Sequence, residues 1–187
     1  MFIKLIVLCL LPVSIFGAVK WQDCGQEDRS LVFKKLNFAT EKITIDGKNP
    51  LKAEVDFDLL NPIDDNVQMD AILSRRFTVW GFSQSITIPC FNDAGSCSGQ
   101  FCYFVQSYYK LARVLAEQLH VPFDCHMQPT TYAGNISYPV PPTAFENVPS
   151  IIANAISGTY ELSVRWTSDD HEIGCLSVVA DLEIDLE

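Results

Sequence analysis

Between residues 51 and 59 the chain alternates strictly. Leu51, Ala53, Val55, Phe57 and Leu59 are apolar, while Lys52, Glu54, Asp56 and Asp58 are charged. Successive side chains of an extended strand leave on opposite faces, so the stretch predicts a strand with one buried and one wet face. The same pattern returns at Tyr160, Leu162, Val164 and Trp166, and again at Leu176, Val178, Ala180, Leu182 and Ile184. Further strands are predicted over residues 31–38, 67–79 and 85–89, with turn residues such as Asp46-Gly47 and Asn61-Pro62 between them. Alternating strands without intervening helices exclude a parallel βαβ arrangement. They predict a mostly β chain of antiparallel sheets, built as a sandwich or an open cup.

One segment breaks the alternation. Phe101, Phe104, Val105, Tyr108, Ala112, Leu115 and Leu119 recur at spacings of three and four, which predicts one helix over residues 100–119 with an apolar stripe. Pro122 should close it, because the residue before proline avoids the helical region.

The first residues have the form of an export leader. Lys4 supplies the positive start, Leu5 to Leu11 a short apolar run, and Gly17-Ala18 the small residues at which cleavage is expected. The run is shorter than the ~20 apolar residues that a membrane-crossing helix needs. The expected organisation is a signal peptide at 1–17 and one domain at 18–187. Six cysteines then remain: Cys24, Cys90, Cys97, Cys102, Cys125 and Cys175. An even number in an exported chain predicts three disulfides, but six thiols pair in many ways and spacing does not choose among them. Zinc is the weaker use of these thiols, since no CxxC pair occurs and His120, His126 and His171 lack a ligand spacing. No metal site is expected.

Lys4 falls in the leader, so 12 of the 13 Lys and Arg side chains remain against 23 Asp and Glu, a balance of −11. That charge disfavours nucleic acid, whose phosphates need clustered cations. It also disfavours anionic membranes at neutral pH, an objection that weakens in an acidic compartment as carboxylates titrate near pH ~4.

Catalytic motifs are poorly represented. Gly95-Ser96-Cys97-Ser98-Gly99 has cysteine where a nucleophile elbow needs serine. Every mature cysteine has a prospective partner, so no free thiolate is expected. The pairs Asp64-Asp65 and Asp169-Asp170 stand in turn contexts, where acidic residues serve the backbone. The expectation is a protein without catalytic residues. Asn135-Ile136-Ser137 is an N-glycosylation sequon and a candidate surface position. The segment 145–158 is unusually apolar for a loop: it carries Val148, Ile151, Ile152 and Ile156 with Glu146 as its single charge. Exposed apolar segments often mark interaction sites, although a loop folded onto the core reads the same way. A second apolar set is Phe77, Val79, Trp80 and Phe82, compatible with either a core or a cavity wall.

The cysteine neighbourhoods carry a resemblance. Ile88-Pro89-Cys90, Gly95-Ser96-Cys97 and Phe101-Cys102 read together as IPCxxxxGSCxxxFC. Trp21 to Cys24 form a WxxC opening, Val121-Pro122 leads to Cys125, and Gly158-Thr159-Tyr160 is followed by Ile173-Gly174-Cys175-Leu176. This series resembles the ML (lipid-recognition) domain family, and within it the ganglioside GM2 activator-like proteins, over nearly the whole mature chain. The resemblance implies the pairs Cys24–Cys175, Cys90–Cys97 and Cys102–Cys125. A further bridge of the activators has both of its cysteines missing here, which leaves no orphan thiol.

The resemblance also implies an antiparallel β-cup or sandwich with an apolar lipid cavity and one short helical segment. Candidates for its wall and rim are Phe57, Leu59, Phe77, Val79, Trp80, Phe82, Ile86, Ile88, Val148, Ile151, Ile152 and Ile156. Ile151 and Ile152 occupy the place of an apolar rim loop that carries tryptophan in the family. The implied activity is that of a secreted or lysosomal carrier that extracts a glycolipid from a membrane and presents it to a glycosidase. The alternatives are a sterol or fatty-acid carrier, and a secreted signalling or defence protein. No cofactor is expected beyond a bound lipid, and no nucleic acid; contact with a membrane surface would be transient.

Overall fold

The computed structural model describes residues 19–140 and 156–185. The expected leader, and with it the cleavage site, lies outside the described residues, as do Val148, Ile151 and Ile152.

The described chain is mostly antiparallel β. Its elements are β1 (Lys20–Asp23), β2 (Leu31–Phe38), β3 (Ile43–Ile45), β4 (Leu51–Leu59), β5 (Gln68–Val79), β6 (Phe82–Thr87), β7 (Ser98–Gln100), α1 (Phe101–Ser107), α2 (Tyr109–Gln118), β8 (Thr130–Tyr138), β9 (Gly158–Ser168) and β10 (His171–Ile184). The larger sheet runs β1-β10-β9-β5-β6, with β3 parallel to the end of β10 and β7 against the start of β5. The smaller sheet is β2-β4-β8.

Residues directly opposite in an antiparallel pair share a face. Trp166, Val164, Leu162 and Tyr160 of β9 oppose Met69, Ala71, Leu73 and Arg75 of β5, and Gly174, Leu176, Val178 and Ala180 of β10. These residues form the inner face of the larger sheet. The smaller sheet answers with Leu31 and Phe33 opposite Leu59 and Phe57, and Tyr132 opposite Phe57.

The two inner faces meet at one end. Leu31, Leu59, Ile63, Val67 and Tyr132 are buried there, with Phe33, Phe57, Phe101, Val121, Met127, Trp166 and Ile173 packed around them. The approach is close: a Cβ on Gly174 would stand 2.8 Å from Leu31 Cβ, so only glycine fits where the sheets touch. At the sheet edge, the Asp23 carboxylate accepts the Phe33 backbone N–H at 2.8 Å and the Arg29 Nε–H at 3.1 Å.

Three disulfides join Cys24 to Cys175, Cys90 to Cys97 and Cys102 to Cys125. The first spans 151 positions and fastens the chain after β1 to β10. On the chain-entropy account such a loop contributes about 5 kcal/mol. The third anchors the first turn of α1 to the segment before β8.

Three departures from the sequence reading have local causes. The single helix expected over 100–119 is two, broken at Tyr108 (φ −102°, ψ 32°). There Tyr103 donates to Asp93 Oδ1 at 2.9 Å, and the Tyr108 hydroxyl donates to the Asp93 carbonyl, pulling the end of α1 onto the Cys90–Cys97 loop. The unforeseen strand β8 carries an alternation of Tyr132, Ile136 and Tyr138 that Gly134 interrupts. The strand expected at 85–89 begins earlier, because a tight hairpin lets Phe82 pair with Val79.

Candidate functional site

The hairpin of β5 and β6 leads away from the closed end. Val79 pairs with Phe82, which leaves Trp80 and Gly81 as a two-residue turn with φ of 52° and 82°. Such turns need left-handed backbone at both positions. Glycine adopts it freely, whereas a bulky residue there is strained, and strain of this kind collects at functional sites. The Trp80 ring is held away from the protein, 95% exposed.

Register continues the inner face onto this hairpin. Arg75 opposes Ile86, Phe77 opposes Gln84, and Val79 opposes Phe82. Val79, Phe82 and Ile86 are all exposed, Phe82 by 72%. Among the described residues, the inner face of the larger sheet is therefore packed at the Trp166 end and open at the hairpin. Between the two, Leu162 remains 36% exposed although it points inward. Full burial of one such side chain is worth about 1.5–3 kcal/mol, so an uncovered row is a surface suited to apolar matter.

The expected wall and rim residues divide into groups. Phe77, Val79, Trp80, Phe82 and Ile86 come together on the hairpin, and Ile88 follows, its N–H bonded to the Leu73 carbonyl at 2.8 Å. Phe57 and Leu59 belong elsewhere. Leu59 is 2% exposed inside the closed end, and Phe57 stacks on Tyr132 at 5.0 Å and meets Phe33 at 5.8 Å. Among the described residues these two belong to the core of the closed end, because the sheets converge at their level. Ile156 is half-buried, and its carbonyl accepts the Tyr160 hydroxyl. Sequence reasoning missed Leu73 and Arg75 on the inner face. Their signal was present in the alternation Leu73, Arg75, Phe77, Val79, which places a charge among apolar neighbours.

Two open grooves lie apart from the expected residues. One, of about 490 Å³, crosses the smaller sheet beside Asn37, Glu54 and Asn135, a row that register puts on one outward face. The other, of about 310 Å³, lies at the helix break beside Tyr108, Tyr109, Lys110 and Tyr138. Asn135, the sequon residue, is exposed on β8.

A titratable cluster sits beside the Cys102–Cys125 bridge. His126 Nδ1 lies 2.9 Å from Asp124 Oδ1, and its Nε2 lies 3.0 Å from Asp65 Oδ1. The two carboxylates hold the imidazole pKa above its ordinary 6.5, the hydrogen bond with Asp124 contributing most. In turn the backbone N–H of His126, and then its ring, hold Asp124 below 3.8. Asp65, His126 and both sulfurs come within 4.8 Å of one another. The sulfurs are committed to their disulfide and offer no thiolate, while both ring nitrogens face carboxylates.

The remaining motifs have backbone duties. Asp169 and Asp170 (φ 49° and 65°) form the turn between β9 and β10, and Asp64 Oδ1 accepts the Asn66 N–H at 3.0 Å. Ser96 Oγ both accepts from the Leu73 N–H and donates to its carbonyl. No helix among the described residues is long and apolar enough to cross a membrane. The three disulfides belong to an oxidising compartment, extracellular or lysosomal. No protein-family model and no curated protein matches this sequence.

Proposed function

We propose that this chain is a non-enzymatic lipid carrier of the ML type, exported through its leader to the extracellular space or the lysosome. The observation that carries this reading is the continuity of the larger sheet's inner face, from the packed Trp166 end to the exposed Val79, Trp80, Phe82 and Ile86. A lipid tail exposed to water costs about 0.8 kcal/mol per methylene, and a carrier must offer comparable apolar area with a route into it. In this reading Trp80 and Phe82, together with Ile151 and Ile152, dip into the bilayer surface. The acyl chains then slide between the sheets, and the headgroup stays at the mouth. Tryptophan suits that role because its ring prefers the membrane interface.

Disulfide-pinned sheets resist the collapse that would otherwise fill such a space with side chains. A glycolipid held with its sugar outside would be open to a soluble glycosidase, and the chain itself performs no covalent step. A fatty-acid carrier is the second reading, favoured by the cation Arg75 on the inner face. The test is transfer of fluorescent lipid from donor to acceptor vesicles, joined to mass analysis of lipid that co-purifies with the native protein. Saturable transfer and a stoichiometric lipid are expected. Absence of both would remove the carrier reading.

A further inference from the structure

The chain has five arginines, and four of them face a carboxylate. Arg29 pairs with Asp23 at 3.0 Å, Arg76 with Glu161 at 2.6 Å, Arg113 with Glu117 at 2.9 Å, and Arg165 with Glu172 at 2.8 Å. Arg75 has no such partner among the described residues. One terminal nitrogen donates to the Ser157 carbonyl at 2.9 Å, and its Nε is buried with no hydrogen-bond acceptor.

Its location is as unusual as its lack of a counter-charge. Arg75 stands between Leu73 and Phe77 on the inner face, opposite Tyr160 of β9 and Ile86 of β6. Asp23, the acid that register places on the same face through Leu176, is already bound to Arg29. The Nε–Nη2 edge of the guanidinium is turned toward Gly158, where a Cβ would come within 3.1 Å of Nε and 3.2 Å of that terminal nitrogen. A half-buried cation among apolar side chains is costly unless an anion meets it. In a chain with a surplus of acids, an inward-facing arginine with no carboxylate partner among the described residues marks a place for an anion brought from outside.

We propose that Arg75 binds the oxyanion, carboxylate or phosphate, of a lipid whose apolar chain lies along the inner face. The inference rests on the carrier reading and adds the chemical class of its ligand. Arg75 is four residues beyond buried Ala71 on β5, about 13 Å along the strand toward the hairpin. A tail packed on Leu73, Leu162 and Val164 would then point to the closed end, with its headgroup at the guanidinium. A guanidinium presents paired N–H groups that match either oxyanion, and such charge-assisted bonds are the strong ones.

The test is a binding series by calorimetry at neutral pH, below micelle-forming concentrations, using oleate, oleyl phosphate, oleyl alcohol, acetate and inorganic phosphate. The two anionic amphiphiles should bind ten- to a hundredfold more tightly than the alcohol, and the two small anions should be far weaker than either. Arg75→Gln should bring oleate down to the level of the alcohol and move alcohol binding less than twofold. Arg75→Lys, which keeps the charge and loses the fork, should retain part of the preference and serves if the glutamine variant fails to fold. Equal binding of oleate and oleyl alcohol by the wild type overturns the headgroup assignment and leaves the carrier reading standing. So does an undiminished preference in a folded Arg75 variant. Acetate or phosphate binding as tightly as oleate makes this a plain anion site and overturns the lipid assignment. Failure of every amphiphile, the alcohol included, overturns the carrier reading itself.

Discussion

Phe33 and Trp166 meet across the two sheets, their ring centroids 5.7 Å apart and their planes inclined at 38°. One ring comes from β2 and the other from β9, so this contact joins the closed end and separates it from the open hairpin. Trp166→Ala or Phe33→Ala should cost about 3–5 kcal/mol, as large-to-small changes in a core do. Leu59→Ala, in the same cluster, should cost about 2–5 kcal/mol. Urea denaturation with an unchanged slope would measure these losses. A change under 1 kcal/mol at Trp166 would mean that the end is not filled.

The hairpin tip should behave in the opposite way. Trp80 makes no packing contribution that 95% exposure would allow, and its backbone is strained. Trp80→Gly should leave stability equal or raise it by a few tenths of a kcal/mol, since glycine relieves the left-handed conformation. The same substitution, and Phe82→Ser, should reduce lipid transfer between vesicles several-fold. The double change Ile151→Asp with Ile152→Asp should abolish transfer with folding intact. Unaltered transfer in all three would separate the rim from the mechanism.

His126 offers a pH signature. Its folded-state pKa is raised above 6.5 by Asp124 and Asp65, so the protonated form is the better folded one. The stabilisation is complete below pH 6.5 and is lost as pH rises through the folded value. Asp124 works from the other side: it is held below 3.8, and its contribution is present above that value and lost as pH falls. Imidazole NMR signals should show a midpoint above 6.5 in the wild type, moving toward 6.5 in Asp124→Asn with Asp65→Asn. A midpoint unmoved by that pair would remove the carboxylates as its cause.

The bridge across 151 positions should dominate the disulfide contribution. Cys24→Ser with Cys175→Ser should lower stability by about 3–5 kcal/mol, more than loss of the Cys90–Cys97 bridge, whose ends are 7 positions apart. Thermal melts of the two double variants would rank them, and the reverse order would show that strain or residual structure outweighs loop entropy here.

Much of this architecture is local in origin, and local features are legible in a sequence. Strands β4, β9 and β10 follow from period-two alternation, because a pleated strand sorts its side chains with no help from the rest of the fold. β1, β3 and β7 are three or four residues long, too short to display a period, and β8 hides its own behind Gly134. The break at Tyr108 depends on Asp93, a residue on another loop, so no helical pattern within 100–119 could announce it.

The site was less legible than the fold, for one physical reason. Leu59 and Phe82 are both apolar members of alternating strands, and alternation says only which face a side chain leaves from. Whether that face is covered depends on whether an opposing sheet stands at the same level: Leu59 meets Leu31 and Tyr132, while Phe82 is 72% exposed. By itself the sequence determined an even set of cysteines behind an export-like leader and strands with one apolar face each. Tertiary structure decided which of those faces close against each other, which end stays open, and that Arg75 faces inward with no acid to meet it among the described residues. Those are relations between segments distant in the chain, and pattern along the chain carries no record of distance in space.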